Sequence, residues 1–475
     1  MPPYREVFML TSLLHGHERL MTFPRSIRSV LFLSASLFAL VSPQASAQLA
    51  PGGWVESQGA APRARWSPDL LKSFVPSARG TFTFPAPYNT QAARITDPSD
   101  CGEKDCVWSV GYSYWRNTNA HEGSDEMLIF LGLAKDKGGS GPTLFKYNKR
   151  TNQISKVGSL FPAGSKFINS TAEGWYFSAS RPTTLYLNDG SKMLRYDVRS
   201  QQFETVYDVT SQFGANRKIR QMHSSNDDRV HSATLQAADT GEFLGCVVYS
   251  EPKRQFRFYA RIGRFDECNL DRSGRWTVSL EDIGVPKDVA NRIFDNETGN
   301  ETRLNGPDGT LGHLDMGYGY MLGADNHNPL PNATLRWNFE PTVAQGPVLH
   351  RNPNWEVAEF NHMSHGNARF DVPPSRQYAC GSDASRTAVQ NEITCIRLDG
   401  SNEQLIVAPV MTDLNASGGV GSDSVYARQP KGNLDVTGTY FIWTTNLCGN
   451  RMDAFLVKVP AQLLVGAETS RTASR

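Results

Sequence analysis

The chain has 475 residues, with 48 Lys+Arg against 47 Asp+Glu. So even a balance argues against a partner bound through its phosphate backbone, which demands a basic excess. Apolar residues at 39%, with 40 Gly and 27 Pro, describe a turn-rich globular chain and argue against fibrous or disordered classes.

Residues 1–47 read as a signal peptide. Arg25 and Arg28 precede the apolar run SVLFLSASLFALV (29–41), and ASA (45–47) follows as a small-x-small cleavage pattern. Met21 offers an alternative start. The run is short for a membrane span, and no later stretch offers about 18 uninterrupted apolar residues. The mature protein is therefore expected to be secreted or periplasmic, with no membrane span once the signal is cleaved. Seven cysteines (101, 106, 246, 268, 380, 395, 448) suit such an oxidising compartment, and none form a CxxC pair.

Residues 48–80, rich in Pro, Ala and Gly, read as a leader, and 466–475 as a tail. Between them a short phrase recurs: FSASRPT, HSSNDDR, NLDRSGR, HLDMGYG, HMSHGNAR and NLDVTGT, beginning at 177, 223, 269, 313, 362 and 433. Recurrence at 40–50 residues marks propellers, solenoids and arrays. After each turn comes a β-type run, such as TLYLN (184–188), WTVSL (276–280) or YFIWTTN (440–446), often with a third such as DAFLVKVP (453–460). No sustained helical period appears, so helical solenoids are excluded. LFKYNKRTNQISKVGSLF (144–161) supplies an earlier unit, giving seven. The expected fold is all-β: a single seven-bladed β-propeller of four-stranded antiparallel blades over 81–465. TFTFPAP (81–87) is expected to close the ring as an outer strand.

The phrases resemble the turn units of TolB-like and WD40-like propeller repeats. That resemblance covers most of 105–462 and speaks to fold, not function. If each phrase is an inner strand with its turn, its opening residue stands where that strand begins, close to the axis. His223, Asn269, His313, His362 and Asn433 are then expected to converge, with Asp325 and His327 brought near by the loops after the second strands. The alternative is that these polar residues only satisfy hydrogen bonds between blades.

The axial His pattern is similar to that of oligogalacturonate lyases, and ulvan lyases place His and Tyr on such a face. The resemblance implies a divalent metal ion at the channel mouth, here held by His313 and His362, with Glu359 a carboxylate ligand or an exposed loop acid. It also implies a polysaccharide or oligosaccharide substrate. Cleavage of uronate-containing glycans by β-elimination needs a positive group, a base and an acid. Arg220 or the metal, His223 and Tyr318 fill these roles, while Asn269, Asp325, His327 and Asn433 bind substrate. The rival reading is a non-catalytic binding or scaffolding propeller.

Cys246 with Cys268, and Cys380 with Cys395, are placed to form local bridges. Cys448 is expected to bridge to Cys101 or Cys106 and tie the ring's ends, the competing arrangement being a local Cys101–Cys106 bridge with Cys448 free.

Overall fold

The computed structural model describes residues 52–465, apart from 58–62, 109, 169–172, 283–288, 305–310, 326–332, 352–361, 383, 385–388 and 421–423. The segments read as signal peptide and tail lie outside the described residues, as do Glu359, His327 and the side chain of Asp325.

Seven antiparallel sheets follow one another around an axis, each built in chain order from its inner strand outward. Blades 2 to 5 have four strands each. Blade 1 has three, over Glu126–Leu133, Gly141–Asn148 and Gln153–Ser159, with its innermost position marked by a bridge between Thr118 and Ile129. The inner strands of the remaining blades are Tyr176–Phe177, Arg217–Ser224, Arg264–Leu270, Leu314–Met316, His362–Ser364 and Asn433–Leu434. Strands near the axis, such as Met127–Leu133 with its seven buried residues, lie between neighbouring blades. Covered on both faces, they read as continuous apolar runs instead of alternating ones.

The outer edges of the last two blades come from the N-terminus. Gly80–Thr83 pairs with Gln91–Arg94, which pairs in turn with Asp453–Lys458 of blade 7. The strand expected from 81–87 to close the ring lies one place further out, and the strand that pairs with blade 7 is Gln91–Arg94. The segment expected as a leader is also built in. Trp54–Ser57 adds a fifth strand to blade 6 alongside Glu403–Pro409. A short helix, Pro68–Phe74, capped by Ser67 Oγ, buries Leu71 in the core shared by blades 6 and 7.

Three copies of the recurring phrase share a chemistry, carried by the third residue. Asp271 Oδ1 accepts from Trp276 N, Asp435 Oδ1 from Tyr440 N, and Ser225 Oγ from Val230 N. Each bond closes the turn from inner to second strand. Three residues further on, the backbone is left-handed: φ is +59° at Asp228, +79° at Gly274 and +72° at Gly438. Glycine takes that conformation without steric cost and Asp tolerates it, which explains the turn residues.

Cystine pairing corrects one expectation. Cys448 does not reach Cys101 or Cys106, which bond to each other; the other bridges are Cys246–Cys268 and Cys380–Cys395. Cys101 ends a 3-10 turn (Pro98–Cys101) that folds straight back toward Cys106. Cys448 Sγ faces the Met411 carbonyl at 3.8 Å. The ring is instead closed by strand pairing and by a fully buried pair, His121 Nε2 with Asp435 Oδ2 at 2.8 Å.

Three outcomes follow. Asp435→Asn should cost about 1.5–3 kcal/mol, the range for losing buried hydrogen bonds to a carboxylate, read from urea unfolding curves. Peptide mapping without reduction should recover the three bridges with Cys448 alkylatable after unfolding. Replacing both Cys246 and Cys268 by Ser should lower stability by roughly 3 kcal/mol in the loop-entropy model.

Candidate functional site

The inner strands of blades 3 and 4 begin several residues before the phrase, at Arg217 and Arg264. His223 and Asn269 therefore lie toward the ends of their strands, not at the start as expected. The leading residues, Arg220, Gln221 and Arg264 to Glu267, instead form one wall of a cleft of about 630 Å³. Gly312 and His313 of blade 5 add to it, with Glu173 and Tyr426. The floor is Tyr112, Tyr114 and Trp115, from the segment that leads into blade 1.

That aromatic segment organises the axial histidines. Tyr112 Oη lies 3.1 Å from His362 Nε2, and its ring centroid is 5.6 Å from that of His313. The His313 and His362 rings stack at 4.7 Å. Tyr114 and Trp115 cover His223 at 5.2 and 5.5 Å, and Trp115 Nε1 donates to Met222 O. The histidines thus gather around an aromatic plug. His313 is half-buried and faces the cleft, while His223 and His362 are buried.

Burial sets their charge. Desolvation, aided by the Arg272 and Arg116 charges, pushes His223 down to about 3. Desolvation, then the His313 and Lys431 charges, hold His362 well below the ordinary range. His223 Nε2 and His362 Nδ1 are both buried without a hydrogen-bond partner.

The other expected site residues divide sharply. Arg220 lines the cleft, its guanidinium 3.1 Å from Glu173 Oε2. Asn269 is buried beside it and donates to Glu267 Oε1 at 3.0 Å. Asn433 is occupied by structure: its Oδ1 accepts from Asn117 N, and its Nδ2 donates to Asn117 Oδ1 and Gly111 O, fastening the plug. Tyr318 does not join the cleft. It sits in the turn after the inner strand of blade 5, lining a separate 770 Å³ cleft with Phe370.

A shared metal on His313 and His362 does not fit the described residues. Imidazole lone pairs lie in the ring plane, so stacked rings do not aim them at one point. Tyr112 already occupies His362 Nε2, and among the described residues no three His, Cys, Asp or Glu side chains converge.

One cleft residue was missed by reading the phrase alone. Glu267 lies two positions before Asn269, so strand alternation puts both on the same face. It is 7% exposed, and its Oε2 accepts from Tyr114 Oη at 2.5 Å. Burial, then the neighbouring Asp266 charge, push its carboxyl up to about 7.

No family model matches the chain, and no curated protein matches it. Among solved structures, an oligogalacturonate lyase from Vibrio parahaemolyticus is similar at 10% identity and a TM-score of 0.56, covering 81% of this chain and 98% of that one. An oligogalacturonate lyase in complex with manganese is similar at 12% identity and a TM-score of 0.54, covering 87% and 99%. TolB from Acinetobacter baumannii is matched at 12% identity and a TM-score of 0.32, over 65% and 64%. The chain is a seven-bladed β-propeller, and its likeness to the two lyases is one of fold.

The buried imidazoles make stability depend on pH. His223 and His365 have folded values of about 3 against an ordinary 6.5. Below 6.5 the unfolded chain takes up protons that the folded chain refuses until about 3, so stability falls with pH across that window. Each should contribute about 1.4 kcal/mol per pH unit. The carboxyls of Glu267 and Asp453, raised to about 7 and about 6, oppose this slope, so the histidine contribution is read as a difference. The urea midpoint of His223→Gln relative to wild type should be constant above pH 6.5 and shift in the variant's favour below it.

Proposed function

We propose that this is an exported carbohydrate-active propeller that cleaves uronate-containing chains by β-elimination in the cleft at the channel mouth. The observation that carries the reading is the meeting in one concave site of a half-buried imidazole, His313, with buried tyrosines and the guanidinium groups of Arg220 and Arg264. Aromatic walls with a few polar groups suit a sugar ring. Elimination needs a cation to offset charge developing beside the carboxylate, and the arginines supply it. His313 serves as the base that removes the proton next to the carboxylate. Three disulfides among the described cysteines fit an extracellular or periplasmic setting, and among the described residues no helix is long and apolar enough to cross a membrane. The fold likeness to two oligogalacturonate lyases supports the substrate class.

A second reading, a non-catalytic carbohydrate-binding propeller, is favoured by the burial of His223 and His362 behind the plug. Incubation with a panel of uronans should yield unsaturated, ultraviolet-absorbing products. His313→Ala should reduce kcat/KM at least ~100-fold, the lower bound for losing a general base. Arg220→Ala should lower kcat by at least ~10-fold, because its charge is needed where the negative charge develops. Binding of a uronan without product would leave the second reading standing. Loss of turnover on adding a chelator would return a divalent metal ion to the mechanism.

A further inference from the structure

Elimination leaves a glycosidic oxygen that must be protonated, and Tyr318, the acid read from the sequence, lies at the far end of its strand. Within the cleft, Tyr112 and Tyr114 are both pushed well above the ordinary phenol range, first by burial and then by nearby acids and phenols, so they are poor proton donors. Glu281 is tied to Arg292 and to the Ile262 and Gly263 amides, and Glu173 to Arg220 and Tyr426. Glu267 is placed differently. Both of its oxygens are oriented by hydrogen bonds, from Tyr114 Oη and Asn269 Nδ2, while the side chain still lines the cleft. Each carboxyl oxygen has a second lone pair, so these two bonds leave room for a proton directed at a ligand.

We propose that Glu267 is the proton donor of the cleft, positioned by Tyr114 and Asn269, and that it delivers its proton to the departing sugar oxygen. The assignment rests on the reading of the cleft as a carbohydrate site. In the step, His313 takes the proton from the carbon beside the uronate carboxylate, and the freed electron pair forms the carbon–carbon double bond. The bond from the next carbon to the glycosidic oxygen breaks, and that oxygen takes the Glu267 proton and leaves as a hydroxyl. His313 ends as imidazolium and Glu267 as carboxylate, and solvent carries the proton back between them. The groups that set the behaviour of Glu267 are Tyr114, Asn269, Asp266 and Glu173. Its elevated titration, near neutrality, agrees with a donor matched to its working pH.

The test has two arms. In the first, the full protein carrying carboxyl-labelled glutamate is titrated by NMR without any ligand. One glutamate should titrate near 7, and that signal should vanish in Glu267→Gln and move upward in Tyr114→Phe, which removes a donor to the carboxylate. In the second arm, wild type and Glu267→Gln are compared on the uronan panel. The near-isosteric variant should lose at least ~100-fold in kcat with little change in KM, and the alkaline limb of the wild-type pH profile should disappear. A Glu267 titration in the ordinary carboxyl range overturns the proposal whatever the substrate, as does turnover of Glu267→Gln at the wild-type rate. Should wild type release no unsaturated product while the near-neutral titration stands, the elimination reading falls. The donor role of Glu267 falls with it, whereas product from wild type with an active Glu267→Gln would overturn the donor role alone.

Discussion

The propeller depends on one polar stitch repeated around its axis. In three of the phrases, at Ser225, Asp271 and Asp435, the third residue closes its own turn, and third residues also reach the neighbouring blade. Asp271 Oδ2 accepts from Gly319 N, Asp315 Oδ2 from His365 N, and Ser364 Oγ from Leu434 N. Asp228 Oδ2 accepts from Ser178 and Ser180 of the preceding blade. The circuit closes at His121–Asp435 and at Asn119, whose Nδ2 donates to Pro182 O. Burying these oxygens is costly unless each is bonded. A blade that slipped along its neighbour would strand them, so the same bonds hold the blades at a common height.

With the blades fixed, the axial space has to be filled, and the segment 110–117 fills it. Its tyrosines and tryptophan take up the face to which the phrase histidines point. The cost is that His223 and His362 are kept neutral and largely out of reach. The gain is a floor that converts an open channel into a one-sided cleft. What chemistry remains accessible comes from the strand segments ahead of the phrase, where the wall rises above the plug.

The ring was legible because its repeat is written in turn residues, and turns have strict backbone requirements. The position of chemistry was less so. The eye is drawn to the histidine that opens HLDMGYG, and Tyr318 in the same phrase looks like its partner; yet a Gly-flanked tyrosine in a turn faces away from the strand start. Stepping by two from Asn269 would have found Glu267 on the axial face. Nothing periodic pointed to GYSYW (111–115), which belongs to no blade. Cys448 misled because ring neighbours were inferred correctly, while the five-residue reach from Cys101 to Cys106 was the shorter route.

Closing blade 7 with strands from both ends has a consequence for how the molecule comes to exist. Residue 92 pairs with residue 457, so Gln91–Arg94 has no partner on one edge until almost the whole chain has been made. Contacts of such sequence separation slow folding, and an unpaired strand edge invites pairing with the wrong chain. The pairing of Gln91–Arg94 with Asp453–Lys458 therefore has to wait for residues made more than 350 positions later. A chain still unfinished cannot lock, and so it stays threadable for as long as its final strand is missing.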